Sequence, residues 1–575
     1  LISSRGKKVE NKTALGAVMK KIASSEKIEK FSQNNYIYVD KTRYIYNLIT
    51  NYERIFFSRP RRFGKSLTLN TIGTLFERGV EPYFKGTWIY DKWAQDKYPV
   101  LHLSFLNYSV DNVAEFKRNL CNILRIFARK LELKNWQEDK EPHVLISNIF
   151  AVMPYEMQFV LLIDEYDCQL TANINNPELY EQFRTCLRNF YAVLKGVKQI
   201  KFLAVTGVTR LKDVSIFSVG SDIKDLSYDH AYSQMIGFTR DEIKKFYLEY
   251  LKLGVCYEKH KAIENITNIT DAEIEEFLDR MADYYDGYCF DRKYRNKVFS
   301  TYSVNTFLQT LSSDEEVEFG NYWYEAGGLP SILRNYMQSH DLDIEKLLSS
   351  ELTVPYDDFV NPGSLLNINE HVLMYQTGYL TLKSEIKTPR WIKLGTASRE
   401  VSSALNSLLS QKFFNPAKLN FFYDVDPIFE NGSAEDIINH LNSVLATIPY
   451  DQYPVESEAG LRALIFMYLS GLRYDVRAEQ HNYNHNYKYN YKHNYKHNYK
   501  GRSDLLINFR NRRVVIELKY VGSKNEEKEK LSEALMQLNE QDYGFEDQGK
   551  RELLLIAAVF NGEKNERRFT TYTMV

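Results

Sequence analysis

Neither sign of charge dominates this chain: 74 Lys and Arg stand against 75 Asp and Glu, a formal net charge of −1 over 575 residues. There is no global basic field to hold a polyanion, so any contact with nucleic acid has to come from a local patch. Cysteine is scarce, and Cys121, Cys168, Cys186, Cys256 and Cys289 are scattered without C-x-x-C spacing. That pattern argues for a reducing, cytoplasmic setting and against a zinc site. No signal peptide is recognisable and no apolar run is long enough to cross a bilayer, so a membrane is not among the expected partners. The sequence opens on Leu1 rather than Met, which reads as a truncation or a displaced start, and its first residues carry no weight here. What remains, 44% hydrophobic and 26% charged, is ordinary globular material with length for roughly two to four domains.

The stretch that organises the rest is Arg59–Ser66, reading Arg-Pro-Arg-Arg-Phe-Gly-Lys-Ser. It follows the short apolar run Arg54–Ser58 and precedes Leu67-Thr-Leu-Asn70, which reads as a helix start. Strand, tight loop, Gly-Lys-Ser and helix is the layout of a phosphate-binding P-loop. In such a loop backbone N–H groups cradle the phosphates, the lysine reaches the β- and γ-phosphates, and the hydroxyl binds Mg²⁺. ATP is thus expected on Arg62, Phe63, Gly64, Lys65, Ser66 and Leu67, with Mg²⁺ on Ser66. Arg59 stands where the usual pattern has its first glycine.

A second signal is Phe159-Val-Leu-Leu-Ile-Asp164-Glu165. The apolar run reads as a fully buried strand of a parallel sheet, and the acids come at its C-terminal end, where open α/β sheets bind ligands. Asp164 is expected to hold Mg²⁺, directly or through water, and Glu165 to polarise the attacking water. The bland explanation is a core strand ending in two solvated acids; the lysine loop upstream weighs against it.

Tyr36–Thr42 alternates like a short strand and offers Asp40 as a helix N-cap. Pro99–Phe105 reads as a buried strand, followed by two amphipathic helices over 113–131 and on to 150. Pro177–Leu194 reads as a helix and Ile200–Gly207 as a further strand. Thr206 and Thr209 at that strand end are candidates for the γ-phosphate or its water, and Arg210 for the phosphates. The alternative, of equal weight, is a strand that simply ends in a turn at Gly207. Strands alternating with helices predict a mostly parallel α/β sheet. The expected division is an α/β core over 20–228, a helical lid over 229–312 opened by the capping box Thr239–Glu242, and a mainly helical connector over 313–450.

Taken together, Tyr38-Val-Asp-Lys-Thr42, Arg59–Ser66, Leu162-Ile-Asp-Glu-Tyr-Asp167, Tyr285-Asp-Gly-Tyr288 and Tyr302-Ser-Val-Asn305 resemble the AAA-ATPase-like family over most of residues 20–330. That family itself carries arginine ahead of the Pro-Arg-Arg segment, and a C-terminal PD-(D/E)XK nuclease-like domain usually accompanies it. The resemblance implies an ATP-binding α/β domain. ATPase rings make a homo-oligomer an expectation too, with Arg210 and Arg292 as candidate arginine fingers.

The C-terminal residues 451–575 supply a second constellation. Glu458 lies in a helix-like stretch, and Arg502–Phe509 and Arg513–Lys519 read as two strands around a short turn at Arg510-Asn511. A two-residue turn sets Asp504 opposite Glu517 on one face, with Lys519 two residues on. Two carboxylates and a lysine on one face suit a metal-dependent phosphodiesterase: Glu458, Asp504 and Glu517 as Mg²⁺ ligands, Glu517 and Lys519 as catalytic groups. The arrangement resembles the PD-(D/E)XK fold, which also implies a glutamine on the next helix, matched by Gln537 and less directly by Gln541. The competing explanation is an ordinary hairpin with a surface Glu-x-Lys. The repeats of His481–Lys500 read as a disordered extension at a hairpin tip. The expectation is a cytoplasmic ATPase joined to a Mg²⁺-dependent nuclease-like domain acting on DNA. Its rivals are a nucleotide-switched regulator with an inactive nuclease fold that only binds a partner, and a non-enzymatic interaction protein.

Overall fold

The computed structural model describes residues 19–23, 25–211, 222–314, 316–323, 332–333, Tyr336, 352–387, 391–413, 425–448, Tyr450, 453–472, 474–481, 502–509, 511–540 and 551–575. The chain divides into two compact units, Leu1–Asp341 with Ser350–Val401, and Leu342–Ser349 with Ser402–Val575.

In the first unit, five strands form one parallel sheet in the order β2-β3-β4-β1-β5: β1 Arg54–Ser58, β2 Val100–Ser104, β3 Phe159–Asp164, β4 Ile200–Gly207 and β5 Lys224–Asp225. Every residue of β1 and β3 is buried, as a sheet covered on both faces requires. β4 is inserted between β1 and β3, so the lysine loop and the Asp-Glu pair leave strands that are not neighbours. The helices of this layer are α1 Thr42–Asn51, α2 Lys65–Arg78, α3 Val113–Lys130, α4 Pro142–Val152 and α5 Pro177–Leu194. α2 packs against β2, β3 and β4, and α3, α4 and α5 against one another.

Tyr36–Thr42 forms no strand, only an isolated bridge from Tyr36 to Lys21. Asp40 is not the N-cap of α1 either; Lys41 holds that place, and Asp40 accepts from the Thr42 N–H and hydroxyl and from the Trp88 N–H. Its carboxylate ties the helix start to a distant loop, a tertiary demand that local capping preference does not register.

The expected lid is helical: α6 Arg240–Phe246, α7 Leu248–Glu258, α8 Asp271–Tyr285 and α9 Thr301–Asp314. Thr239 and Glu242 form the predicted capping box on α6. These helices share a core built on Leu251, Phe277, Tyr285 and Phe307. The expected helical connector is different. β6 Leu352–Pro355, β7 Leu380–Leu382 and β8 Trp391–Thr396 form an antiparallel sheet in the order β6-β8-β7, with α10 Glu370–Thr377 leading into β7. This sheet lies in the first unit, so the segment expected to be one connector is divided between the units. The short runs Leu352–Pro355 and Leu380–Leu382 offered too few residues for a period to register.

The second unit is built on the sheet β13-β12-β11-β10-β9: β9 Asp475–His481, β10 Arg502–Asn508, β11 Arg512–Val521, β12 Glu552–Asn561 and β13 Arg568–Met574. Only β11 and β12 pair in parallel, joined through α13 Glu527–Glu540; α11 Ala434–Leu445 and α12 Glu458–Gly471 precede the sheet. Leu506, Val515 and Ala557 pack on Ala534 and Leu538 of α13. By strand alternation Asp504, Glu517 and Lys519 share the face of Leu506 and Val515, so one face is apolar at one end and acidic at the other. The repeats at 482–500 and Gln541 fall outside the described residues. All five cysteines are buried and free. Among the described residues no helix is long and apolar enough to cross a membrane.

Candidate functional site

In the first unit, the loop after β1 turns twice through left-handed backbone, at Arg62 (φ 68°) and Gly64 (φ 100°). Gly64 is the N-cap of α2, so the first free N–H groups of that helix open toward the loop. Lys65 follows at once and is only 4% exposed. Its Nζ donates to the Arg59 and Pro60 carbonyls at 3.1 and 3.2 Å and faces Glu165 Oε1 at 3.4 Å. The lysine therefore lies folded onto its own loop, in the space a polyphosphate would enter. Ser66 lies near the Asp164 carboxylate, where its hydroxyl favours the ionised form. Burial, with the adjacent Glu165 charge, pushes Asp164 up to about 6. Glu165 itself sits at φ 51° with its side chain 18% exposed, at the end of β3 beside the lysine.

Arg59 does not face this space. Its guanidinium turns into the core, donates to the Ser58 and Ser227 carbonyls at 2.8 Å each, and stacks over Phe290 at 4.3 Å. The loop thus gains an arginine without placing bulk where the missing glycine would lie. Phe63 is also structural, set edge-on against Tyr288 and Phe290. Two donors hold the loop from outside: Thr301 Oγ1 to the Arg62 carbonyl at 2.9 Å, and Trp323 Nε1 to the Arg61 carbonyl at 3.3 Å. The Trp323 backbone N–H in turn donates to buried Glu400, which also accepts from Ser303.

Thr206 and Arg210 are not drawn into the cluster. Thr206, fully buried, donates to the Phe57 carbonyl at 2.8 Å within the sheet. Arg210 is ion-paired with Asp225 and donates to the Val360 carbonyl, which also leaves it poorly placed as an arginine finger. Thr209 binds Asp167 through its hydroxyl and its N–H. Leu67 stays half-buried in the first turn of α2, and Arg292 is exposed. Asp167, which the sequence reading left unassigned, carries the end of β4: buried, raised in pKa by burial and then by Glu165, it also accepts from the Val208 N–H. Its spacing, three residues after Asp164 on a strand that ends there, was the available signal.

In the second unit the hairpin register sets Leu505 opposite Ile516, and so Asp504 opposite Glu517. Asp504 Oδ2 accepts the Leu518 N–H at 2.8 Å. Lys519 Nζ lies 3.4 Å from Glu517 Oε1 and 3.5 Å from Glu458 Oε1. Glu458 begins α12, whose N-cap Ser457 accepts from Gly460. The three acids and the lysine are thus brought together as expected. Burial, then the Asp504 charge, pushes Glu517 up to about 7, with Lys519 opposing. Glu517 Oε2 is buried without a hydrogen-bond partner, as is the Gln537 Oε1 atom on α13. Arg462, one turn after Glu458, was missed; it pairs with Asp504 at 2.6 Å. Among the described residues no three His, Cys, Asp or Glu groups stand ready to hold a metal ion. The pair Asp504 and Glu517, with its orphaned buried oxygen, nonetheless suits Mg²⁺, which commonly takes one or two carboxylates and completes its shell with water and phosphate.

Residues 24–217 match the family model described as predicted AAA-ATPase, and residues 456–569 match that of the PD-(D/E)XK nuclease superfamily. The chain is similar to an uncharacterized protein in the vnfD 5′ region of Azotobacter chroococcum mcd 1, 26% identical over 524 residues, covering 89% of this chain and 90% of that protein. A structural comparison finds the Walker-type ATPase PABY2304 of Pyrococcus abyssi at 11% identity and a TM-score of 0.31, over 68% of this chain and 99% of that one.

Proposed function

From a chain that joins an AAA-ATPase-like domain to a PD-(D/E)XK nuclease-superfamily domain, we propose an ATP-hydrolysing protein whose second domain cleaves DNA with Mg²⁺. The observation that carries the ATPase half is Lys65 held at 3.4 Å from Glu165, with Ser66 and Asp164 beside them. On this reading Lys65 leaves the Arg59 and Pro60 carbonyls for the β- and γ-phosphates of Mg·ATP, while Ser66 and Asp164 hold its metal ion. Glu165, released by the lysine, orients and polarises the attacking water. Asp167 fixes the end of β4 and touches no phosphate.

In the nuclease half, a divalent ion on Asp504 and Glu517 would activate water and stabilise charge on the phosphodiester. Glu517 must lose its proton to serve, which its pKa near 7 permits at neutral pH. Lys519, between Glu517 and Glu458, is placed to steer water or to protonate the leaving oxygen. The pairing of both Asp504 oxygens gives the second reading its support: a nucleotide-switched regulator whose nuclease fold only binds a partner.

The deciding experiment is cleavage of single- and double-stranded DNA in Mg²⁺, with and without ATP, by wild type, Glu517→Ala and Lys65→Ala. The proposal expects cleavage that vanishes in the first variant and changes its ATP response in the second. ATP turnover without cleavage would leave the regulator.

A further inference from the structure

Arg462 has no place in the nuclease signature, yet it pairs with one of the acids of that cluster. It follows Glu458 by four residues on α12, so both side chains leave one face of the helix. Its Nη1 lies 2.6 Å from Asp504 Oδ1, with the two side chains 19% and 9% exposed. The other Asp504 oxygen is fixed on the Leu518 N–H. So Asp504 has one oxygen tied to backbone and one held by a side-chain cation. On the facing strand, Glu517 keeps Oε2 buried and without a partner.

A divalent ion shared by two carboxylates needs an oxygen from each. Glu517 offers its orphaned oxygen; of the Asp504 oxygens, Oδ2 is engaged by the Leu518 N–H and Oδ1 faces the Arg462 guanidinium, whose charge opposes an ion at that atom. Arginine and metal ion therefore contend for the same atom. Charge says where the arginine goes next. With Glu458, Asp504 and Glu517 ionised, Arg462 and Lys519 leave the cluster with a net charge of about −1. A divalent ion turns that into one positive charge, which a phosphodiester, itself singly negative, cancels. A guanidinium displaced at the rim presents a planar fork that matches two phosphate oxygens.

Resting on the nuclease reading above, we propose that Arg462 exchanges partners: it neutralises Asp504 while the metal ion is absent, and the incoming ion displaces it onto the phosphate of the nucleic-acid substrate. The residue is at once the competitor for the ion and the group that holds the phosphate after the ion has bound.

The test uses the full chain without nucleotide. Mn²⁺ binding is titrated by electron paramagnetic resonance in wild type, Glu517→Gln and Arg462→Met; the component lost in Glu517→Gln reports this site. Arg462→Met is expected to bind Mn²⁺ there about tenfold more tightly, since the competing cation is gone. DNA affinity is then measured in Ca²⁺ over a range of salt. The same variant is expected to bind DNA more weakly, with the salt slope smaller by about one phosphate contact. Arg462→Gln gives the same two readings if Arg462→Met fails to fold. Unchanged or weaker Mn²⁺ binding in a folded variant, or an unchanged salt slope, overturns the exchange while leaving the nuclease reading intact. A wild type without any Mn²⁺ component sensitive to Glu517→Gln overturns both.

Discussion

Lys65 and Glu165 face each other at 3.4 Å, and the lysine spends its remaining donors on the Arg59 and Pro60 carbonyls. The pair couples the groups assigned to phosphate and to water before any nucleotide enters, so the two can be separated by mutation. Lys65→Ala is expected to abolish binding of a fluorescent ATP analogue. Glu165→Gln should keep that binding and slow phosphate release by roughly a hundredfold, the lower range for loss of a general base. Wild-type turnover in Glu165→Gln would remove Glu165 from the mechanism.

Trp323 reaches the loop through one bond, Nε1 to the Arg61 carbonyl. Trp323→Phe deletes the donor, at about 1 kcal/mol for the bond lost, and trims the indole to a single aromatic ring. The loop should lose part of its preformed shape, and ATP affinity should fall by about threefold to tenfold with kcat little changed. Isothermal titration reads this directly. An unaltered Kd would mean that the indole only packs.

Gly207 ends β4 with no room for a side chain: a Cβ would meet Asp167 Oδ1 and Tyr166 Cδ1, each at 2.5 Å. Gly207→Ala must push Asp167 off the Val208 and Thr209 amides or shift β4 itself. The expected cost is about 1–3 kcal/mol, with the lower-temperature shift confined to the transition of the first unit in calorimetry. A variant with wild-type Tm would show that Tyr166 can swing aside freely.

Glu517 gives a pH signature. Its folded value, about 7, lies above its ordinary 4.5, so the folded state binds this proton more tightly than the unfolded chain does. The stability it contributes is complete below the unfolded value and is lost as pH rises through about 7. In metal-free buffer the wild type should therefore lose stability relative to Glu517→Gln between about pH 5 and about pH 8, by on the order of 1–3 kcal/mol. Over the same interval divalent-ion affinity should rise, because ligation needs the ionised carboxylate. Parallel pH curves for the two proteins would contradict the burial that raises Glu517.

Both sites were legible in outline because each is written in a few contiguous residues. Gly64-Lys65-Ser66 and Asp164-Glu165 announce themselves by following apolar runs, and the short turn before Arg512 fixes Asp504 opposite Glu517 by counting. What escaped was everything set by contacts across long stretches of chain. Nothing near Trp323 or Thr301 says that they bond the Arg61 and Arg62 carbonyls. Thr206 looked available because strand ends in such folds often face the ligand; here its hydroxyl closes on Phe57, on the neighbouring strand. Arg210 looked like a phosphate ligand until Asp225 claimed it. Arg462 was within reach, since four residues on a helix place it under Glu458, but it matters only once Asp504 is seen beneath it. The antiparallel sheet of β6, β7 and β8 stayed hidden because its strands are too short for alternation to stand out from a helical pattern.

The buried cysteines carry a practical consequence. Desolvation pushes the Cys121 and Cys289 thiols up to about 11 and those of Cys168 and Cys186 to about 12, and raises Cys256 as well. At neutral pH almost none of the reactive thiolate is present. A single cysteine introduced on the surface would therefore outpace all the native ones for a maleimide dye. The wild-type chain is its own quiet background for fluorescence energy transfer, and distance changes on adding nucleotide can be followed without first stripping out its sulfur.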